Sequence, residues 1–191
     1  MFTPSGRIEL YSETIAGFGY DDCHGHPRWY DKQESLGSPR AVDYPLHLIS
    51  NQPRTRLHSQ YDHGVTSRKA KIRGREAARM HPADAASRGI HDGDVVRLFN
   101  DRGACLAGVH LTESIRPGVI ELATGAWYDP LDPQQYHSLE VHGNPNVLTR
   151  DAGTSKLAQG PSAHSCLVQM ERFDDPLPAI KIFGQPSTVN N

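Results

Sequence analysis

A mainly β protein with short helices is the fold class this sequence predicts, on three observations. Its apolar residues come in short alternating runs, as half-buried strands require. Fourteen prolines and 17 glycines in 191 residues, with a mean hydropathy of -0.58, punctuate the chain too often for a helical bundle. Two apolar runs flank Asn100-Asp101-Arg102-Gly103 and read as a hairpin with a four-residue loop. The length suits one sizeable core, and so one domain or one domain with an arm.

In chain order, Thr3-Pro4-Ser5-Gly6 is turn chemistry, and the alternation of Arg7-Ile8-Glu9-Leu10-Tyr11 suits a short strand. Residues 17–42 are rich in glycine, proline and charge without a period, as in an extended arm. Leu46-His47-Leu48-Ile49 reads as a strand whose Leu46, Leu48 and Ile49 supply core, ended by Ser50-Asn51-Gln52-Pro53. The basic run 69–75 reads as a solvated loop. From His81-Pro82 to Gly89 the order of proline, aspartate, alanines and glycine describes a short capped helix, with a turn at 91–94. The hairpin strands are 95–99 and 104–111, and a further strand at 119–123 follows the turn Arg116-Pro117-Gly118. The aromatics Trp127 and Tyr128 read as core. Residues 129–140 form a long loop, and 142–160 carries glycine, amides and hydroxyls around short apolar anchors. A last strand at 165–171 precedes an irregular tail.

With 20 basic and 22 acidic side chains the formal net charge is -2, so no nucleic-acid partner is expected. No apolar run approaches the roughly 20 residues of a membrane helix, so no membrane partner is expected either. Cys23, Cys105 and Cys166 are odd in number and widely spaced, which disfavours a disulfide framework or a thiolate zinc site. His24-Gly25-His26 invites a metal reading but lacks a third ligand at recognisable spacing, so no metal site is assigned. The opening residues lack the basic and apolar regions of a secretory signal.

The richest chemistry lies in 44–64, YPLHLISNQPRTRLHSQYDHG. The loop after the strand offers Arg54, Arg56, His58, Ser59, Gln60 and His63: cationic forks, imidazoles, a hydroxyl and a carboxamide. This set fits either a solvated connection or a site for a phosphate-bearing, heteroaromatic ligand.

Four blocks in order carry a resemblance that covers most of the chain: TPSGRIELYS, SNQPRTRLHSQ, HPADAASRGIHDGDVVRLFNDRG and GNPNVLTRDAGTSKLAQ. They resemble the C-terminal region of the dimethyl sulfoxide reductase family of bis(molybdopterin guanine dinucleotide) enzymes, in particular biotin sulfoxide, trimethylamine N-oxide and dimethyl sulfoxide reductases. The resemblance implies a six-stranded double-psi β-barrel at 44–172, preceded by an arm from an earlier domain at 1–43 and followed by a tail at 173–191. It also implies that the chain begins inside a longer protein.

By motif correspondence the cofactor-binding residues are Arg54, Arg56, His58, Ser59 and Gln60 from the first loop. Asn146, Thr149, Asp151, Thr154 and Gln159 come from the last. Asp84 and Asp94 are explained by capping and turn formation. No catalytic residue and no metal ligand fall in this segment, because the family's serine ligand to molybdenum lies in an earlier domain. The implied function is to clamp one of two pterin dinucleotides in an enzyme that reduces a small S-oxide or N-oxide by oxygen-atom transfer. The implied partners are the preceding domains of the same reductase. Alone, the chain is expected to be inactive and to hold no cofactor. The expected compartment is the cytoplasm, with the periplasm open because the exported members carry their signal upstream. The alternative is a free-standing double-psi barrel serving as a binding or adaptor module without molybdenum.

Overall fold

The computed structural model describes residues 2–184. They divide into two compact units, 2–32 with 151–162 and 33–150 with 163–184. Residues 33–43 thus group with the larger unit and 151–162 with the smaller.

The larger unit is a closed barrel of six strands: β1 (Leu46–Ile49), β2 (Ala77–Met80), β3 (Val95–Asn100), β4 (Gly103–Leu111), β5 (Val119–Leu122) and β6 (Leu167–Arg172). Around the barrel the order is β1-β5-β2-β4-β3-β6. β1 runs parallel to β5 and β2 parallel to β4, and the other four pairings are antiparallel. Exchanging β1 with β4, β2 with β5 and β3 with β6 returns the same circle, each parallel pair mapping onto the other. This internal twofold is the double-psi arrangement.

Period-two burial builds the core. Leu46 and Leu48, Ala78 and Met80, Val96 and Leu98, Ile120 and Leu122, and Val168 and Met170 point inward, with Cys105, Ala107 and Val109 from β4. The alanines facing Leu and Met keep the narrow interior filled without overpacking. β4 is buried on its other face too, where Leu106 joins Val95 and Val141 under Phe173 and Ile180. Among the described residues no helix is long and apolar enough to cross a membrane.

Three expectations about elements need correction. No strand forms at 7–11, where Ile8 and Leu10 are exposed and Thr3 and Ser5 make local side-chain and backbone hydrogen bonds to Arg7 and Glu9. Alternation without a partner edge cannot make a ladder, and those local bonds compete with one. The sixth strand is instead β2, inside the stretch that led into the helix α3 (Pro82–Ala86). The hairpin loop is two residues rather than four, because Asn100 pairs with Gly103 and its buried carboxamide donates to the Leu148 and Leu167 carbonyls.

The run 69–75 is solvated only in part, with Lys69, Ala70, Arg73 and Gly74 exposed. Lys71 is buried and ion-paired, and Arg75 is buried with a guanidinium hydrogen bond to the Pro178 carbonyl. That bond, with Asp129 accepting from the Lys181 and Ile182 amides, pins the tail as far as it is described. Residues 185–191 of the expected tail lie outside the described residues. Asp84 and Asp94 act structurally, accepting from the Gly118 and His91 amides.

In the smaller unit, helix α1 (Glu13–Gly17) is capped by Ser12. His24 accepts from Arg28 at one ring nitrogen and meets the Tyr30 hydroxyl at the other, so neither is offered to a metal. Among the described residues no cluster could hold a metal ion.

Ile49 also departs from expectation, being 37% exposed where Leu48 is 0%, since one step along a strand turns it to the outer face. Leu48→Ala should therefore cost about 2–5 kcal/mol of stability through a core cavity, and Ile49→Ala much less. Thermal or urea unfolding of the two variants checks this; equal losses would mean that β1 is in another register.

Candidate functional site

Parallel pairing decides where the polar loops emerge. Because β1 and β5 run in the same direction in direct register, the chain leaves both at one end of the barrel. The Thr124 amide then donates to the Asn51 carbonyl at 2.9 Å and ties the two exits together. A third segment reaches the same end through Glu140, which bridges Cys105 and Pro130, and through the Glu76 amide donating to the His142 carbonyl. A cleft of about 430 Å³ opens among them. His58 and Ser59 line it from the first loop, residues 124–128 from the second, and Asn144 and Asn146 from the third.

His58 is set by Gln52. The Gln52 Oε1 accepts from the His58 amide at 3.2 Å, which directs Nε2 of the same carboxamide to donate to the His58 Nδ1 at 2.9 Å. With Nδ1 accepting from the carboxamide, the ring presents Nε2–H as its donor. Its backbone is left-handed, with φ of +50°. Across the cleft, Gly125 has φ of +89°, and a Cβ there would overlap the His58 carbonyl. Only glycine lets these two segments close.

Beneath the loop lies a buried quartet of charges. Arg56 Nε sits 3.4 Å from Asp62 and its Nη2 3.0 Å from Glu76, while Lys71 Nζ reaches the same carboxylates at 2.9 and 2.8 Å. Arg56, Asp62 and Lys71 are at most 2% exposed at their side chains. Burial would raise the Asp62 carboxyl, but hydrogen bonds from Lys71 and the Trp127 amide, with the Lys71 and Arg56 charges, hold it below the ordinary range. His142 donates from Nδ1 to the Trp127 carbonyl at 2.9 Å. Burial and the Lys71 charge depress its pKa and keep it neutral.

The third segment is folded around one carboxylate. Glu140 is fully buried and accepts four backbone amides, Asp129 and His142 on one oxygen and Gly143 and Asn144 on the other. Gly143, with φ of +100°, lies against Glu76, where a Cβ would come within 2.6 Å of the Glu76 Cβ. Asn144 in turn caps Pro145–Val147 by accepting from the Asn146 amide. This leaves the Asn146 side chain exposed at the cleft.

Of the residues expected to contact a ligand, His58, Ser59 and Asn146 meet at this cleft. Arg54 and Gln60 are exposed on the same loop but do not line it. Thr149 donates to the Asn146 carbonyl. Arg56 has a different task, its guanidinium being spent on Asp62, Glu76, Ser67 and the His58 and Thr124 carbonyls. Asp151, Thr154 and Gln159 belong to the smaller unit, where Thr154 and Gln159 bond to carbonyls of their own loop. Gln52, Gly125, Asn144 and Tyr128 were not foreseen. Trp127 is tied by its indole N–H to the Ser59 carbonyl at 2.7 Å rather than serving as core, and Tyr128 is 49% exposed on the cleft.

A closed barrel whose glycine-, amide- and hydroxyl-bearing loops converge at one end is suited to a nucleotide-type cofactor. Residues 46–167 match the family described as "Molydopterin dinucleotide binding domain", to which this chain belongs. It is 48% identical over 189 residues to a trimethylamine-N-oxide reductase of Salmonella typhi, a match covering 98% of this chain and 22% of that protein. It is 45% identical over 184 residues to a dimethyl sulfoxide/trimethylamine N-oxide reductase of Cereibacter sphaeroides, covering 96% and 22%. The chain thus spans about a fifth of the length of these relatives. Among solved structures, acetylene hydratase from Pelobacter acetylenicus superposes with a TM-score of 0.71 over 90% of this chain and 24% of that one, at 21% identity, and shares the fold.

Burial pushes the Glu140 carboxyl up to about 7 from 4.5, against the four amides that favour its charge. The native state therefore binds the proton more tightly than the unfolded chain, and this contribution to stability falls as pH rises from 4.5 to 7. Glu140→Gln points an NH2 group at two amide donors and should cost roughly 2–5 kcal/mol at the acid end, the gap to wild type narrowing as pH rises. Urea unfolding across that range tests it; a widening gap would mean that the four amides keep Glu140 ionised throughout.

Proposed function

We propose that this chain is the domain of a longer bacterial molybdenum reductase that holds one dinucleotide of a bis(molybdopterin guanine dinucleotide) cofactor. The single observation that carries the reading is the cleft in which His58 and Ser59 meet Asn144 and Asn146 from a distant part of the sequence. Its donors fit the group. The His58 Nε2–H, the Ser59 hydroxyl and the Asn146 carboxamide can donate to phosphate oxygens, and amide edges at Asn144 and Asn146 can pair with a base or pterin edge. The nearby carboxylates Asp62 and Glu140 do not line the cleft and are consumed by protein donors, so the opening stays hospitable to an anion.

In this reading the protein supplies binding and orientation, and the bound molybdenum centre supplies the two-electron oxygen-atom transfer. His58, oriented by Gln52, directs its Nε2–H into the cleft as a donor. Ser59, held by the Trp127 indole at its carbonyl, presents its hydroxyl on the same wall. Gly125 lets the backbone approach closely. The substrate class is a small N-oxide or S-oxide, as for the trimethylamine-N-oxide and dimethyl sulfoxide reductases to which the chain is similar. Preceding domains of the same protein complete the cofactor cage, and the isolated chain retains no molybdenum.

In the full-length protein, metal analysis should find stoichiometric molybdenum, acid hydrolysis should release GMP, and reduced viologen should be oxidised by trimethylamine N-oxide or dimethyl sulfoxide. Loss of the His58 hydrogen bond should weaken cofactor retention roughly tenfold. His58→Ala should thus lower molybdenum and GMP together while the melting temperature holds. Full occupancy in this variant would return the loop to a structural role.

A further inference from the structure

We infer that the buried quartet is a positioning device for the cleft, with Arg56 as the positioning residue that joins its two walls. This inference rests on the proposed cofactor role of the cleft. The Arg56 Nε donates to the His58 carbonyl at 3.1 Å, and its Nη2 donates to the Thr124 carbonyl at 3.0 Å. Those carbonyls belong to opposite walls, the first loop and the segment after β5. The same guanidinium is anchored by Glu76 and Asp62. Asp62 extends the span, since its other oxygen accepts the Trp127 amide at 2.9 Å, and Trp127 reaches back through its indole to the Ser59 carbonyl.

The arrangement is more specific than charge burial needs. Lys71 already contacts both carboxylates, and a second compact cation would neutralise the pair. A planar fork is required only if donors must leave the ion pair in two fixed directions. One outgoing bond ends on the left-handed His58, whose peptide leads into Ser59, and the other on the Thr124 carbonyl that leads into Gly125. Gly125 is the complementary half, because its missing Cβ leaves the space that the His58 carbonyl occupies. The quartet pulls the walls together and the glycine lets them meet.

Arg56→Lys and Gly125→Ala in the full-length protein test this. Lysine keeps the charge but cannot hold both carbonyls, while the alanine methyl pushes the His58 peptide away with the quartet intact. Both should speed cofactor dissociation roughly tenfold, as for loss of a hydrogen bond to a charged group. In cofactor-free protein both should raise hydrogen exchange selectively in the peptide spanning 54–61, with the melting temperature near that of wild type. Unchanged exchange and dissociation in both variants would overturn the inference, as would global loss of stability or of soluble protein in both, which would assign the quartet to folding alone. His58→Ala separates this from the parent reading. If it releases cofactor and these two do not, only the positioning role fails; if it too leaves occupancy intact, the cofactor role of the cleft fails first.

Discussion

The mutual neutralisation of Arg56, Lys71, Asp62 and Glu76 is the constraint on which the upper end of the barrel depends. Removing any one partner would leave an uncompensated charge away from water, so the four must arrive together. They come from three places: Arg56 and Asp62 from the loop after β1, Lys71 from the run after helix α2 (Val65–Lys69), and Glu76 from just before β2. The loop at 51–64 therefore cannot drift as surface loops do, because its interior is tethered by charge at two points. An interaction that adds little net stability can in this way define one conformation.

Topology supplies what the charges cannot. A quartet fixes its own neighbourhood, but the third wall, 140–146, joins through Glu140, whose four amide donors wrap the chain about one carboxylate. The His142 ring, held neutral beside Lys71, links that wall to Trp127 and so to Asp62. Three loops far apart in sequence thus share one hydrogen-bonded interior. The parallel β1–β5 pair brings two of them to the same end, and the bridges of Glu140 bring the third.

Much of the barrel was legible because strands that bury one face must alternate, as β1, β3, β5 and β6 largely do, while β4, buried on both faces, reads as a continuous apolar run bounded by a turn. β2 was not, since Ala77-Ala78-Arg79-Met80 has no β-branched or aromatic residue and its inward alanine is needed only because larger neighbours fill the space. The decoy at 7–11 had the pattern but no partner. At the cleft, residue chemistry and motif had singled out three of the lining residues, His58, Ser59 and Asn146. Gln52 could also have been found, as an amide six residues before a histidine across a proline turn. Gly125 had no such signal, because its role is the volume it leaves for another segment's carbonyl.

Arg54 and Arg56 show why residue type alone could not assign roles within the loop. Both are guanidinium groups two positions apart in a polar stretch, and both suit a phosphate. One is exposed and the other is 1% exposed at its side chain. The difference comes from Asp62, Lys71 and Glu76, whose burial made the basic run at 69–75 and the loop at 51–64 parts of one structure. A cation count over this region would assign every positive charge to an anionic ligand. In the fold, Arg56 and Lys71 answer carboxylates of the protein, and the groups that face the cleft are hydrogen-bonding ones: an imidazole, a hydroxyl and carboxamides. On the proposed reading, recognition by directed hydrogen bonds over a neutralised interior favours geometry over net charge, which suits a domain that must orient its ligand as well as hold it.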